Sequence, residues 1–386
     1  TAKDRGANKV YGMLHGIQGL LQERYLDLSE YITTELDAEL LKRTPAAFLG
    51  SCRFKLPEIH EDKGVYEKIF SILDKLDIEA FIYIGGNDSM DTIKKLSDYA
   101  IVTGHPTRFI GCPKTIDNDL ALTDHTPGYG SAAKYIGTSV KEIIRDSFCL
   151  EYNKGLVSIV EIMGRNAGWL TGAAALAKGE DCEGPDLIYL PEIPFDLHAF
   201  SDKVKELLSR KPSVVVAVSE GIRTADGTYV CELGSSIDFV DAFGHKQLSG
   251  TASYLASFIA GEIGCKTRAI ELSSLQRSAS HAASRVDILE AYQVGGAAVK
   301  AADEGDSGKM VVLQRLSDDP YQCGTEVKDV HKIANDEKLV PREWVNEEGT
   351  GVTDEFVAYV RPLIQGDVSP VMVDGIPRHL FRPYNL

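Results

Sequence analysis

Two carboxylates and an ammonium group stand within six residues of one another in the segment 113–119, which reads Pro-Lys-Thr-Ile-Asp-Asn-Asp. This grouping suits phosphoryl transfer. Asp117 or Asp119 can take a proton from an attacking hydroxyl while the other carboxylate orients it or helps to hold Mg²⁺, and Lys114 can neutralise phosphate charge. Asp and Asn are also common in solvated turns, so an ordinary loop is the alternative for this segment taken by itself.

Two further loops carry residues suited to phosphate binding. Residues 85–89 read Gly-Gly-Asn-Asp-Ser, and adjacent glycines at a helix start let backbone N–H groups approach a phosphate. A strand-to-helix turn capped by Asp88 or Ser89 is the alternative. In the segment 161–170, Arg165 follows a glycine and can clamp a phosphoryl oxygen with its planar guanidinium, although an arginine after a strand is often structural or solvated.

Each of these loops follows a predicted strand, and the strands alternate with helices. A short apolar run predicts a strand over 80–84, and further strands are predicted over 108–110, 156–162, 187–190, 214–218 and 268–272. Apolar residues at helical spacing predict helices over 65–76, 90–100 and 136–144. The alternation indicates an α/β fold with a mainly parallel sheet, and ligands of such sheets bind at the carboxyl ends of the strands.

Composition excludes several classes of protein. The chain has 386 residues, with 57 acidic and 41 basic side chains and a net charge of −16. This balance argues against nucleic-acid binding and against attachment to an anionic membrane. No apolar run approaches the ~20 residues that span a bilayer. The seven cysteines are odd in number and none are paired at CxxC spacing, which predicts reduced thiols in a cytoplasmic protein.

One glycine motif does not fit a dinucleotide site. Residues 128–133 match the loose pattern GxGxxA, but they follow Thr-Asp-His-Thr-Pro instead of a strand. The sequence also has no GxxxxGK followed by Ser or Thr, so a P-loop is not expected. A NAD-dependent dehydrogenase is therefore poorly supported.

Taken in order, GGNDS at 85–89, PKTIDND at 113–119 and MGRNAGWL at 163–170 resemble the phosphofructokinase family, whose members usually show GGDGS or GGDDS, then TIDND, then MGR. The resemblance implies two α/β/α, Rossmann-like domains with a cleft between them and a C-terminal extension. It assigns 1–125 with 247–300 to the domain for the phosphoryl donor, 126–246 with 301–325 to the domain for the sugar phosphate, and 326–386 to the extension. Family chains begin with a strand and a GGxxPGxN loop, so we expect a further piece to precede Thr1.

The same loops favour one phosphoryl donor. Pyrophosphate-dependent members of the family resemble this chain at Asp88, where ATP enzymes have a glycine, and at Lys114, before TIDND. The expected reaction is the reversible transfer of a phosphoryl group from pyrophosphate to the 1-hydroxyl of fructose 6-phosphate. An ATP-dependent 6-phosphofructokinase and a non-catalytic regulatory subunit are the alternatives.

The resemblance also implies a role for each site residue. Asp117 is the expected general base, with Asp119, Lys114, Thr115 and Arg165 as the other catalytic residues. The residues expected to bind the donor phosphates are Gly85, Gly86, Asn87, Asp88, Ser89, Lys114 and Arg53. The residues expected to bind the sugar phosphate are Thr115, Asp117, Met163, Gly164, Arg165, Glu220, Arg268 and Arg277.

Mg²⁺ is the expected cofactor, and the assembly is expected to be a homo-oligomer. Asp119 and Asn87 are the candidate metal ligands, although Asn87 stands where the family has an Asp and an amide oxygen is the weaker ligand. Arg268 is the candidate for a contact with the neighbouring subunit's site. Leu156 and Ser274 depart from the sugar-binding Arg and His of bacterial ATP enzymes.

Overall fold

Helices and strands alternate along the chain in the computed structural model, which describes residues 1–150, 153–234 and 250–382. The strands are β1 (Tyr11–Met13), β2 (Tyr25–Asp27), β3 (Ala80–Gly85), β4 (Arg108–Pro113), β5 (Leu156–Ile162), β6 (Leu187–Tyr189), β7 (Ser213–Ser219), β8 (Lys266–Glu271), β9 (Lys309–Asp318), β10 (Tyr321–Asp329), β11 (Met372–Val373) and β12 (Ile376–Pro377). The helices are α1 (Gly16–Leu21), α2 (Leu28–Tyr31), α3 (Glu35–Arg43), α4 (Lys63–Lys75), α5 (Asn87–Thr103), α6 (Tyr129–Phe148), α7 (Trp169–Gly172), α8 (Leu197–Leu208), α9 (Thr251–Ile263), α10 (Arg285–Asp303) and α11 (Asp354–Val360). The strands and helices predicted from apolar runs are confirmed as β3 to β8 and as α4, α5 and α6.

The first sheet has the strand order β10-β9-β4-β3. Its strands β3, β4 and β9 run parallel, and β10 returns antiparallel to β9. Successive side chains of a strand point to opposite faces, so Phe109 packs in the core with α4 and α5 while Ile110 packs in the core with α10. Helices therefore cover both faces of this sheet.

The second sheet has the order β6-β7-β5-β8, and all its strands run parallel. Every residue of β5 is buried, which explains why five of its seven residues are apolar. On one face Val160 and Ile162 pack with α6 and α7, and on the other Val157 and Ile159 pack with α8 and α9. The chain thus forms two α/β/α bodies, as predicted.

Strand pairing differs from the expected division of the chain in two places. The expectation groups 247–300 with the first domain, but β8 pairs with β5 of the second sheet. It groups 301–325 with the second domain, but β9 pairs with β4 of the first sheet. Apolar periodicity predicts that a segment is a strand, whereas its partner depends on contacts between distant segments. The remaining boundaries stay a prediction.

The segment after β10 packs against both bodies. Val330 and Ile333 join the core beneath the first sheet. Further along, Trp344, Phe356 and Tyr359 surround Trp169 of the second body, with ring centroids 6.0, 5.9 and 5.3 Å from it. The C-terminal segment 330–382 is therefore an integral part of the fold and reaches the loops at the cleft.

Two expectations from composition can be compared with the described residues. Within them, no helix combines the length and the apolarity that crossing a bilayer requires. All seven cysteines lie in the described part of the chain, and no disulfide joins any of them there.

Candidate active site

The loops that follow β3, β4, β5 and β7 open into one cleft. It collects fifteen of the sixteen predicted site residues. Those that line it are Arg53, Gly85, Gly86, Asn87, Asp88, Ser89, Lys114, Thr115, Asp117, Asp119, Met163, Gly164, Arg165, Glu220 and Arg277. Their sequence separation is large, and the carboxyl ends of parallel strands bring them together.

The loop after β3 is shaped for a phosphate. Gly86 is the N-cap of α5, and Asp88 lies exposed in the first turn of that helix. The close approach within the loop requires Gly85, because a Cβ on this residue would lie 2.0 Å from the Ser89 Oγ. The first backbone N–H groups of a helix have no partner inside it, so this end of α5 can bind an anion.

Asn87 presents a polar atom that the protein leaves unsatisfied. Its Oδ1 is buried and accepts no hydrogen bond from the described residues. A buried carbonyl oxygen without a partner is costly unless a ligand or water completes it. This oxygen therefore fits a cation-binding position, even though it belongs to an amide and not to a carboxylate.

A short hydrogen-bond circuit holds Asp117 in the loop after β4. The Thr115 hydroxyl donates to Asp117 Oδ2 over 3.0 Å, and the Asp117 backbone N–H donates back to Thr115 Oγ1 over 3.1 Å. The carbonyl of Thr115 accepts from the Thr126 hydroxyl over 2.6 Å. Thr115 is buried, so these bonds fix the Asp117 carboxylate at the floor of the cleft.

The Asp119 carboxyl group is buried beside other negative charges. Burial, followed by the negative charges of Asp117 and Glu337, raises its pKa to about 7. Glu337 comes from the C-terminal segment and accepts from the Asn166 amide over 3.0 Å. Sequence reasoning missed Glu337, because no motif surrounds it and it approaches Asp119 only through the fold.

Lys114 connects the first two loops. Its backbone N–H donates to the Gly85 carbonyl over 3.0 Å, which extends the pairing of β3 with β4 by one bond. Its side chain is exposed, as is that of Asp88. The ammonium of Lys114 and the carboxylate of Asp88, which the resemblance links to the choice of donor, thus lie on adjacent loops of the cleft.

Gly164 and Glu220, which follow β5 and β7, form another wall of the cleft. Gly164 has φ +138°, and a Cβ there would lie 2.6 Å from the Ala167 carbonyl oxygen, so glycine is required. Its N–H donates to Glu220 Oε1 over 3.3 Å. Burial is the main cause that raises the pKa of Glu220 to about 7.

Gln276 supports this wall although sequence reasoning assigned it no role. It is 3% exposed, and its Oε1 accepts from the Met163 N–H over 3.0 Å while its Nε2 donates to the Ser273 carbonyl over 3.0 Å. The glutamine therefore ties the loop after β5 to the turn that carries Arg277. Its position beside Arg277 in the chain was the available signal.

Arg268 does not line the cleft of its own chain. Its guanidinium donates to Asp146 of α6 over 2.8 Å. Its strand, β8, is the edge strand of the second sheet. A contact with a neighbouring subunit remains a prediction.

The glycine motif at 128–133 is occupied by the protein itself. The Asp287 carboxylate accepts from the N–H of Gly128 over 2.7 Å and from the N–H of Ser131 over 3.1 Å. It therefore caps the N-terminus of α6, where a dinucleotide would need its pyrophosphate. This geometry agrees with the expectation that the motif is not a cofactor site.

Comparison with known proteins agrees with this architecture. A family model described as Phosphofructokinase matches residues 1–302. The chain belongs to the phosphofructokinase family.

Particular members of the family are similar over almost the whole chain. A pyrophosphate--fructose 6-phosphate 1-phosphotransferase of Halomonas elongata is 41% identical, with 97% of this chain and 88% of the relative covered. The protein of that name from Xanthomonas campestris is also 41% identical, with 96% and 88% covered. A crystal structure titled as a pyrophosphate-dependent phosphofructokinase of Nitrosospira multiformis superimposes with a TM-score of 0.87 at 34% identity, covering 98% of this chain and 88% of that one.

Proposed function

We propose that this chain is a pyrophosphate-dependent 6-phosphofructokinase. It transfers a phosphoryl group reversibly from pyrophosphate to the 1-hydroxyl of fructose 6-phosphate, giving fructose 1,6-bisphosphate and phosphate. The observation that carries the proposal is that Asp88 and Lys114 lie on loops joined by a backbone hydrogen bond and line the same cleft. The similarity to relatives named for this reaction supports it.

The two residues act on the donor in opposite ways. A carboxylate at Asp88, in the first turn of α5, repels and crowds the α-phosphate that a nucleotide would place there. The Lys114 ammonium can neutralise the phosphate that leaves when pyrophosphate is cleaved. Pyrophosphate lacks the third phosphate and the nucleoside, so Asp88 does not repel it. Its leaving phosphate still benefits from the charge of Lys114.

Asp117 is the general base of the proposed mechanism. As the 1-hydroxyl oxygen of the sugar attacks the phosphorus, Asp117 accepts the hydroxyl proton, and the bond from phosphorus to the leaving phosphate breaks. The hydrogen bonds from Thr115 hold the carboxylate in one orientation for this transfer. Arg165 and Arg53, which line the same cleft, balance the negative charge of the transferring group.

The wall formed by Met163, Gly164 and Glu220 binds the sugar, and Arg277 binds its 6-phosphate. The Glu220 carboxyl can bond to a sugar hydroxyl while it accepts from Gly164. Arg277 is exposed at the rim of the cleft, where a guanidinium can make two parallel bonds to a phosphate.

The residues present fit a Mg²⁺ ion. Asn87 Oδ1 is buried and has no partner among the described residues, and Asp117 and Asp119 add carboxylate oxygens in the same cleft. Oxygen ligands of this kind are the set that Mg²⁺ prefers. Asn87 and Asp119 would hold the ion. When bound, Mg²⁺ neutralises phosphate charge and favours the ionised form of a nearby carboxyl.

We also propose that the enzyme is a homo-oligomer of the cytoplasm. The position of Arg268 outside its own cleft supports a role at a neighbouring site. The reduced cysteines support a reducing compartment.

The deciding experiment compares pyrophosphate and ATP as donors for the purified protein with fructose 6-phosphate and Mg²⁺. We expect turnover with pyrophosphate and little with ATP. The double substitution Asp88→Gly and Lys114→Gly should shift donor use toward ATP. Strong turnover of the parent with ATP and none with pyrophosphate would instead identify an ATP-dependent enzyme.

Asp117→Ala is the control for contaminating activity and for a regulatory subunit. Loss of a general base lowers kcat by about 10²–10⁴-fold. Activity of the homomeric protein that disappears in this variant shows that the chain itself catalyses. Activity that is equal in the variant would show that it does not.

A further inference from the structure

A single hydroxyl of the C-terminal segment contacts the loop that carries Asp117 and Asp119. The Tyr359 hydroxyl accepts a hydrogen bond from the Asn118 side-chain amide over 2.9 Å and donates to the Asp124 carbonyl over 2.6 Å. Tyr359 and Asn118 are 241 residues apart in the chain. The contact therefore joins the C-terminal segment to the loop at the centre of the proposed site, although neither Tyr359 nor Asn118 lines the cleft.

Asn118 needs this support because its backbone is strained. It lies between the two aspartates with φ +56°, in the left-handed region, and it is fully buried. Asn tolerates this conformation better than most residues, at a cost that surrounding contacts must offset. Its side chain is satisfied at both ends, since Oδ1 accepts from the Thr126 N–H over 3.0 Å and Nδ2 donates to Tyr359.

From Asn118 a chain of hydrogen bonds leads to the proposed base. Asn118 fixes the backbone of Thr126, whose hydroxyl donates to the Thr115 carbonyl, and the Thr115 hydroxyl donates to Asp117 Oδ2. Each link is buried or half-buried, where an unmade bond is expensive. The orientation of Asp117 is thus connected to the Tyr359 hydroxyl through Asn118, Thr126 and Thr115, of which only Thr115 lines the cleft.

The ring of Tyr359 is itself held on several sides. It packs against Trp169 and Trp344, with centroids 5.3 and 5.2 Å away. The Arg315 guanidinium lies 4.7 Å from the ring centroid and also donates to the Tyr359 carbonyl over 2.9 Å. Loss of the hydroxyl alone would therefore leave the ring in place, which makes Tyr359→Phe a clean substitution.

We propose that Tyr359 is a positioning residue that acts through Asn118 to hold Asp117 in its reactive orientation. The proposal rests on the proposed function, because Asp117 must be the base for its orientation to affect the rate. A small displacement of a catalytic group can cost ~10²-fold in rate, and removal of one link of a longer chain should cost less, about tenfold.

The test is the kinetic comparison of Tyr359→Phe with the parent. We expect kcat to fall about tenfold, while KM for fructose 6-phosphate and for pyrophosphate stays within about twofold, since neither Tyr359 nor Asn118 contacts the cleft. A kcat within about twofold of the parent overturns the proposal.

Tyr66→Phe is the matched control. Tyr66 is 1% exposed, and its hydroxyl donates to the Pro57 carbonyl over 2.7 Å. It packs in the core of the first sheet, so Tyr66→Phe removes a tyrosine hydrogen bond that lies away from the Asp117 loop. Thermal melting should show similar destabilisation of both variants, with kcat lowered only in Tyr359→Phe. An equal kcat loss in both variants would mean that general stability is responsible, which also overturns the proposal.

A second variant tests the route through Asn118. Asn118→Gly keeps the left-handed backbone accessible while it removes the side chain, and it should lower kcat as Tyr359→Phe does. With both substitutions present, Tyr359→Phe should add less than about a twofold loss, because coupled residues are not additive. If kcat of the double variant is a further tenfold below that of Asn118→Gly, Tyr359 does not act through Asn118. If Tyr359→Phe does not fold, Asn118→Gly alone decides by its kcat.

The proposed function and the positioning role fail in different ways. A parent without activity on either donor removes the proposed function. A parent that is active with pyrophosphate, and whose kcat neither substitution changes, removes the positioning role alone. A parent that is active only with ATP removes the proposed function whatever the two variants do.

Discussion

The stability of the folded protein depends on pH through the protonation of the Glu220 carboxyl group. Burial raises its pKa from an ordinary 4.5 to about 7. Between these two values the folded state binds more protons than the unfolded state, so the contribution of Glu220 to stability falls as pH rises from about 4.5 to 7. Above pH 7 the folded protein holds a poorly solvated carboxylate, which is unfavourable unless a ligand compensates.

Glu220→Gln should therefore stabilise the protein at pH 8 while it impairs sugar binding. The amide can still accept from the Gly164 N–H, and it carries no charge. We expect the free energy of unfolding to rise by ~1–3 kcal/mol at pH 8 and to change by less than ~0.5 kcal/mol at pH 4.5. Urea unfolding at the two pH values measures this, and KM for fructose 6-phosphate should rise.

Glu79→Gln is the surface control for this experiment. The Glu79 side chain is 83% exposed, so its loss should change the free energy of unfolding by less than ~0.5 kcal/mol at either pH. A Glu220→Gln protein less stable than the parent at pH 8 would show that the carboxylate is favourably paired in the folded state.

Single residues differ in how well the sequence predicts their part in the site. Asp117, Lys114 and Arg165 stand in short motifs whose residue types match one kind of chemistry, so they could be assigned directly. Glu337 and Tyr359 stand in no such motif. Glu337 forms a β-bridge with Leu120 beside the Asp117 loop, and Tyr359 bonds to Asn118, 241 positions away in the chain. No local pattern encodes contacts between segments so far apart. Arg268 lies outside the cleft of its own chain, and its expected contact with a neighbouring subunit stays a prediction.

At the scale of elements, helix α6 depends on a cap from another helix. Asp287 of α10 is 5% exposed, and it accepts from the N–H groups of Gly128 and Ser131 and from the Ser131 hydroxyl. The N-cap residue Gly128 has no side chain to do this. The carboxylate also lies at the positive end of the α6 dipole, which favours its charge.

Asp287→Ala should lower the free energy of unfolding by ~2–4 kcal/mol, because it removes the cap and leaves buried donors without partners. Asp367→Ala is the matched control, since Asp367 is 91% exposed and pairs with Lys134 of the same helix at the surface. Such a pair contributes ~0–1 kcal/mol, so this variant should stay close to the parent. Equal unfolding midpoints in urea for the two variants would contradict the capping role.

Elements were predicted more completely than their arrangement. Strands β3 to β8 and helices α4 to α6 follow from local periodicity, which depends on neighbouring residues. The pairing of β8 with β5 and of β9 with β4 does not, because a parallel strand finds its partner through crossovers that a local pattern cannot resolve. The hairpin of β9 and β10 completes the first sheet from residues that lie far along the chain.

At the scale of the whole molecule, the proposed assembly makes a prediction about Arg268. If this arginine completes the sugar-phosphate site of a neighbouring subunit, then Arg268→Ala subunits keep their own Asp117 but impair the partner's site. Asp117→Ala subunits do the reverse. Each variant alone should be nearly inactive in the forward reaction at low fructose 6-phosphate.

Mixed assemblies of the two variants distinguish the arrangements. In a hybrid dimer, one site receives Asp117 from its own chain and Arg268 from the other and is therefore complete, while the second site lacks both. Random reassociation of equal amounts should restore about a quarter of the parent activity in a two-fold symmetric dimer. If Arg268 acts only within its own chain, each hybrid site lacks one residue and mixing restores nothing. A measured recovery near zero, with exchange of subunits verified by a tag on one variant, would thus refute the shared site.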